Sequence, residues 1–149
     1  MKERIYNEGQ LIKERLVEIS DYIYNNPELG NEEYKAVEAL TTFLKEHGFE
    51  IECPYAGMET AFKATFDSGK PGKTVGYLCE YDALPEIGHG CGHNMIGPIS
   101  SGAGVALSKV LSEIGGKVIV YGTPAEETNG GKVILTEAGA FDELDAAMI

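Results

Sequence analysis

Short apolar runs alternate along this sequence with longer segments of helical periodicity, and this alternation restricts the folds open to the chain. Three runs have the composition of buried strands, at residues 74–79, 117–121 and 146–149. Residues 49–53 and 61–66 instead alternate between apolar and polar side chains, which is typical of strands in a partly exposed sheet. The pattern predicts an α/β protein with a mixed, largely parallel sheet flanked by helices.

Four segments are predicted to be helices. Residues 8–24 repeat apolar side chains at steps of three and four. A second helix is expected after Asn31, which could cap it, with Glu32 and Glu33 favouring its positive end. The other predicted segments are helices at residues 99–114 and 131–138 and a glycine-rich, irregular loop at 84–93.

Composition and charge argue against nucleic acid and membranes as binding partners. The 149 residues include 12 lysines and arginines against 24 aspartates and glutamates, a net charge of −12 that repels nucleic acid and anionic membranes. No apolar run approaches the roughly 20 residues that span a bilayer, and the N-terminus lacks the apolar stretch of a secretory signal. Three scattered cysteines do not make a disulfide framework. These observations predict a cytoplasmic protein with neither a nucleic acid nor a membrane partner.

The densest group of reactive side chains is His89, Cys91 and His93, which are separated by single glycines. On an extended loop, residues two apart point the same way, so two or three of these side chains could converge on one ion. Thiolate and imidazole are ligands that Zn²⁺ and similar metals prefer. The alternative is a flexible loop that carries a buried thiol and solvated histidines.

Carboxylates follow two of the predicted buried strands. Glu126 and Glu127 come after the strand at 117–121, and Asp82 follows the strand at 74–79. In open α/β sheets, ligands bind at the carboxyl ends of strands. One glutamate could bind a metal while the other takes the proton of a water, and Asp82 could orient a ligating histidine. Taken singly, the glutamates could equally begin a helix, and Asp82 could cap a loop.

Other catalytic mechanisms find less support. Neither Ser100 nor Ser101 lies in a Gly-x-Ser-x-Gly elbow, and no phosphate-binding loop is present. Cys91 could act as a nucleophile with His93 as its base, but the paired glutamates would then have no role.

Several motifs together resemble one enzyme family in their order and spacing. They are Asn26-Pro27-Glu28-Leu29-Gly30 with Glu32-Glu33, Tyr81-Asp82-Ala83-Leu84-Pro85, Gly90-Cys91-Gly92-His93-Asn94, Thr123-Pro124-Ala125-Glu126-Glu127 and Gly130-Gly131-Lys132. The chain resembles the aminoacylase/carboxypeptidase family of metal-dependent amidohydrolases, and most of all its branch of aminobenzoyl-glutamate hydrolases and related dipeptidases. The resemblance implies that Cys91, His93 and Glu127 bind metal, that Glu126 is the general base and that Asp82 supports the site.

The same resemblance implies a function and a domain organisation. Residues 1–149 are expected to be the N-terminal portion of a zinc-peptidase-like catalytic domain, without the lid that often mediates dimerisation and without the C-terminal part. The expected reaction is metal-dependent hydrolysis of an amide bond in N-acyl amino acids or small dipeptides, such as aminobenzoyl-glutamate. One or two ions of Zn, Mn, Co or Ni and a homodimer are expected. The alternatives are a non-catalytic metal-binding or interaction module and an inactive fragment of the hydrolase.

Overall fold

The structure is a computed structural model that describes residues 1–149. It contains four helices and five strands. In chain order they are α1 (Lys2–Asn25), α2 (Tyr34–Glu46), β1 (Glu50–Glu52), β2 (Phe62–Asp67), β3 (Thr74–Cys79), α3 (His93–Ile114), β4 (Lys117–Gly122), α4 (Gly131–Glu137) and β5 (Ala146–Met148).

The five strands form one mixed sheet in the order β1-β2-β4-β3-β5. Strand β2 pairs antiparallel with β1 and β4, whereas β3 pairs parallel with β4 and β5. The predicted mixed α/β fold is confirmed, with its four pairings divided equally between the two types. Helix α3 connects the parallel neighbours β3 and β4, as a parallel pair requires a crossover.

Both faces of β4 are buried, which explains why its sequence is continuously apolar. Val118 and Val120 join the larger core cluster, to which α1, α2 and α3 contribute side chains. Ile119 and Tyr121 point to the other face and join a smaller cluster that includes Leu135 of α4. The sheet is therefore covered by three helices on one side and by the C-terminal segment on the other.

Parallel pairing aligns the ends of β3 and β4. Cys79 is the register partner of Gly122, and the Cys79 carbonyl accepts hydrogen bonds from the amide and the hydroxyl of Thr123. The segments that leave these strands therefore start side by side. This brings Asp82 to the same edge as the turn at residues 123–130, which we call the glutamate turn.

Three helices begin where the sequence pattern did not place them. Helix α1 starts at Lys2, six residues before the predicted start at residue 8. Helix α3 starts at His93, six residues earlier than predicted, because its glycines and Pro98 conceal the helical period. Helix α2 starts at Tyr34, and Asn31 is not its cap but adopts a positive φ of 70°. Glu33 is the N-cap residue by position, yet its side chain is buried and makes no capping hydrogen bond. None of the helices has both the length and the apolar character needed to cross a membrane.

Candidate active site

Side chains from three segments meet at the carboxyl edge of β3 and β4. His93 opens α3, and Glu126 and Glu127 lie in the glutamate turn. The Nε2 atom of His93 is 4.0 Å from a carboxylate oxygen of each glutamate. One ligand atom from each of the three residues falls within 4.8 Å of the others, so the group could hold a metal ion.

Asp82 lies behind this group and contacts two of its members. The residue is 1% exposed. One carboxylate oxygen is 3.0 Å from Nδ1 of His93, and the other accepts a hydrogen bond of 3.0 Å from the backbone N–H of Glu127. Because Nδ1 is engaged by Asp82, the ring presents Nε2 to the two glutamates.

Hydrogen bonds and burial determine the pKa values of His93 and Asp82. The hydrogen bond to Asp82 raises the pKa of His93. Burial by itself would raise the pKa of Asp82, but hydrogen bonds from His93 and from the Glu127 amide outweigh it and lower that pKa. Asp82 is therefore an ionised acceptor that holds both the imidazole and the backbone of the glutamate turn.

Cys91 lies at the rim of the cluster. Its side chain is exposed, and a hydrogen bond to Glu127 raises the pKa of its thiol. The sequence pattern predicted that Cys91 and His93 would share an extended loop, but Gly92 has a φ of 80° and His93 already belongs to α3. The structure therefore groups His93 with both glutamates and leaves Cys91 beside Glu127, outside the closest set.

The donor atoms suit a borderline divalent cation. An imidazole nitrogen and two carboxylates are present, with a thiol next to one of them. Zn²⁺ and related transition metals accept such mixed nitrogen, oxygen and sulfur ligands, whereas Ca²⁺ prefers oxygen alone. The residues present thus fit the metal that the motifs implied.

Sequence reasoning assigned no role to Glu80, which contacts His93, or to Lys132, which contacts Glu80. Glu80 is 7% exposed and forms an ion pair with Lys132, and its second oxygen is 3.3 Å from Nε2 of His93. Lys132 reaches the site because α4 packs on the glutamate turn, where Gly131 lies too close to Pro124 for any side chain. The available signal was that both residues adjoin motifs already recognised, at Tyr81-Asp82 and at Gly130-Gly131.

His89, the third member of the predicted metal loop, is not part of the cluster. It is buried, both ring nitrogens lack a hydrogen-bond partner, and burial lowers its pKa. A neutral, enclosed imidazole is the result.

Curated proteins are similar in sequence to most of this chain. The chain is 43% identical to mouse Xaa-Arg dipeptidase over 153 aligned positions, which cover 91% of the chain and 34% of that protein. It is 36% identical to one of the subunits of Escherichia coli p-aminobenzoyl-glutamate hydrolase, covering 91% of the chain and 32% of the relative. No family model matches. The chain thus spans about a third of the length of these curated relatives.

A solved structure shares the fold. The crystal structure of a protein assigned as an aminohydrolase, from methicillin-resistant Staphylococcus aureus, superposes with a TM-score of 0.87 at 29% identity. The match covers 99% of this chain and 41% of the other.

Proposed function

We propose that the protein to which this chain belongs hydrolyses an amide bond with a bound divalent metal. The proposal is supported by the similarity of the chain to an Xaa-Arg dipeptidase and to a subunit of a p-aminobenzoyl-glutamate hydrolase, as its motifs predicted. One observation supports this proposal above all others. His93 directs Nε2 towards two carboxylates at 4.0 Å while a buried aspartate holds its other nitrogen. Glu80 adds a third carboxylate oxygen, 3.3 Å from Nε2, so this nitrogen faces an acidic cluster that suits a bound cation.

The proposed ligands are His93 and Glu127, with Cys91 as a further ligand from the rim. Zn, Mn, Co or Ni, as one or two ions, would polarise the scissile carbonyl and lower the pKa of a bound water. Glu126 is the proposed general base, which takes a proton at its carboxylate and returns it to the leaving amine. The role of Glu127 beside His93 is supported by Asp82, whose carboxylate accepts from the Glu127 amide and contacts Nδ1 of His93.

The proposed substrates are dipeptides and N-acyl amino acids, including compounds like aminobenzoyl-glutamate. The support comes from the relatives, one named as a dipeptidase and the other as a subunit of an aminobenzoyl-glutamate hydrolase. The net charge of −12 favours small-molecule substrates over nucleic acid.

We further propose that the protein is a cytoplasmic homodimer. In this proposal, residues 1–149 form a portion of its catalytic domain.

The test uses the complete product of the gene that encodes this chain. Release of amino acid from a panel of dipeptides and N-acyl amino acids is measured after chelation and after adding Zn²⁺, Mn²⁺ or Co²⁺. Turnover that disappears with the chelator and returns with metal supports the hydrolase. Bound metal without turnover across the panel would instead favour a non-catalytic metal-binding module.

Two isosteric variants separate the roles of the glutamates. Glu126→Gln should abolish turnover and keep the metal, whereas Glu127→Gln should weaken metal binding as well. Glu137→Gln, on the exposed face of α4, is the matched control and should change neither. Metal loss in the Glu126 variant alone would show that the two roles are exchanged.

A further inference from the structure

The motif at residues 26–33 contributes no side chain to the metal cluster, yet it packs against the glutamate turn. A Cβ at Gly30 would lie 2.9 Å from the Cα of Ala125 and 2.5 Å from the hydroxyl of Thr128. The side-chain amide of Asn31 donates a hydrogen bond of 3.1 Å to Asn129. The segment that precedes α2 is therefore in direct contact with the turn that carries Glu126 and Glu127.

Glu33 makes the most buried of these contacts. Its side chain is 0% exposed, and each carboxylate oxygen accepts one hydrogen bond of 2.7 Å, from the Thr60 hydroxyl and from the Ala125 N–H. The Thr60 carbonyl in turn accepts a hydrogen bond of 2.6 Å from the buried hydroxyl of Tyr81. Burying a carboxylate is unfavourable unless its oxygens are paired, and here both are.

The backbone that Glu33 holds is strained. Ala125 has a φ of 57°, in the left-handed region that residues with a Cβ rarely adopt. It immediately precedes Glu126, so a change in its backbone would redirect both glutamates. A strained conformation persists only where its surroundings determine it, and the bond from Ala125 to Glu33 is such a constraint.

We propose that Glu33 is a positioning residue of the active site: by holding Ala125, it fixes Glu126 and Glu127 at their distance from His93. This inference rests on the proposed function, because it assigns Glu33 to the same site. Glu33 would not touch the substrate or the metal. It would act only through the backbone of the glutamate turn.

Three variants of Glu33 differ in the contacts that they keep. Gln can accept from Ala125 through its carbonyl and donate to the Thr60 hydroxyl through its amide, so Glu33→Gln should keep both. Glu33→Asp is one methylene shorter and cannot reach both partners, and Glu33→Ala reaches neither. Leu40→Ala is the control, because Leu40 is a fully buried core residue of the adjoining helix α2 and its loss destabilises the fold without removing a contact to the turn.

The first readout is the affinity of each variant for Co²⁺, measured by calorimetry and by the visible spectrum well below the unfolding temperature. Displacing a supporting residue is expected to weaken metal binding by about tenfold or more. Glu33→Ala and Glu33→Asp should show this loss, while Glu33→Gln and Leu40→Ala should stay close to wild type. Wild-type affinity in Glu33→Asp, or an equal loss in Leu40→Ala, would overturn the proposal.

The second readout does not depend on metal. Hydrogen exchange of the Ala125 amide, followed by NMR in the presence of a chelator, should be at least about tenfold faster in Glu33→Asp than in Glu33→Gln, because the lost hydrogen bond exposes the amide. Unchanged exchange would refute the role of Glu33. A wild-type chain that protects this amide but binds no Co²⁺ would refute the proposed metal site instead, so the two failures are distinguishable.

Discussion

Replacing Asp82 by Asn tests how far the site depends on one buried carboxylate. The substitution preserves shape and removes the negative charge. Asp82 accepts from both His93 Nδ1 and the Glu127 amide at 3.0 Å, and an Asn carbonyl can accept from only one of these donors. The Asn amide group must face the other partner, and when it faces Nδ1 it favours the tautomer that carries its proton on Nε2. That proton would occupy the nitrogen that faces the glutamates.

The expected magnitude follows from these two bonds. Hydrogen bonds to a charged group contribute about 1.5–3 kcal/mol each, so losing one should lower the free energy of unfolding by about 2 kcal/mol. Loss of a residue that orients a ligating histidine typically costs about 10–100-fold in metal affinity. This range corresponds to about 1.4–2.8 kcal/mol.

The assay is calorimetric titration with Zn²⁺, combined with urea unfolding of the metal-free chain. Asp145→Asn is a matched control, since Asp145 likewise accepts from a backbone amide, that of Thr74, and from a cation, Lys73, but at the opposite end of β3. It should leave Zn²⁺ affinity unchanged. The backbone carbonyl of Asp82, also 3.0 Å from Nδ1, is kept in this variant, so the test concerns the side chain. Wild-type Zn²⁺ affinity in Asp82→Asn, or equal losses of affinity in both variants, would refute the argument that the Asp82 carboxylate orients the metal-facing nitrogen.

Three further predictions concern the cysteine, the glycine contact and pH. Iodoacetamide should alkylate Cys91 more rapidly in Glu127→Gln than in the wild type, because the carboxylate of Glu127 raises the pKa of the thiol. Zn²⁺ should protect Cys91 from alkylation if Cys91 is a ligand, and equal alkylation rates with and without metal would remove it from the ligand set. Gly30→Ala should lower the free energy of unfolding in urea by about 1–3 kcal/mol, because the added Cβ would meet the backbone of the glutamate turn. Gly9→Ala, on an open face of α1, should instead raise it by about 0.5–1 kcal/mol. In the metal-free chain the raised pKa of His93 implies a contribution to stability that is complete below the unfolded pKa of about 6.5. This contribution is lost as pH rises through the folded pKa, so urea midpoints that show no decrease from pH 6 to pH 9 would contradict the prediction.

Much of the architecture could be predicted because strands and helices have different local periods. The apolar runs at residues 74–79 and 117–121 became β3 and β4 with bounds within one residue of those expected. The period was less informative where glycine and proline interrupt it, and there the start of α3 was placed six residues late. Chemically distinctive motifs compensated, since Asp82, His93, Glu126 and Glu127 were all selected from residue type and position in the chain.

The sequence by itself determined the identities of the reactive side chains and their placement at strand ends, because both follow from local pattern. The tertiary structure decided which of them meet. Parallel pairing of β3 with β4 brings Asp82 to the Glu127 amide, and the early start of α3 separates Cys91 from the closest ligand set. By its residue type and position, Glu33 resembles an ordinary solvated residue at the start of a helix. Only the packing of residues 26–33 on the glutamate turn buries it against Ala125. Such a pairing depends on contacts between residues 92 positions apart, which no local period encodes.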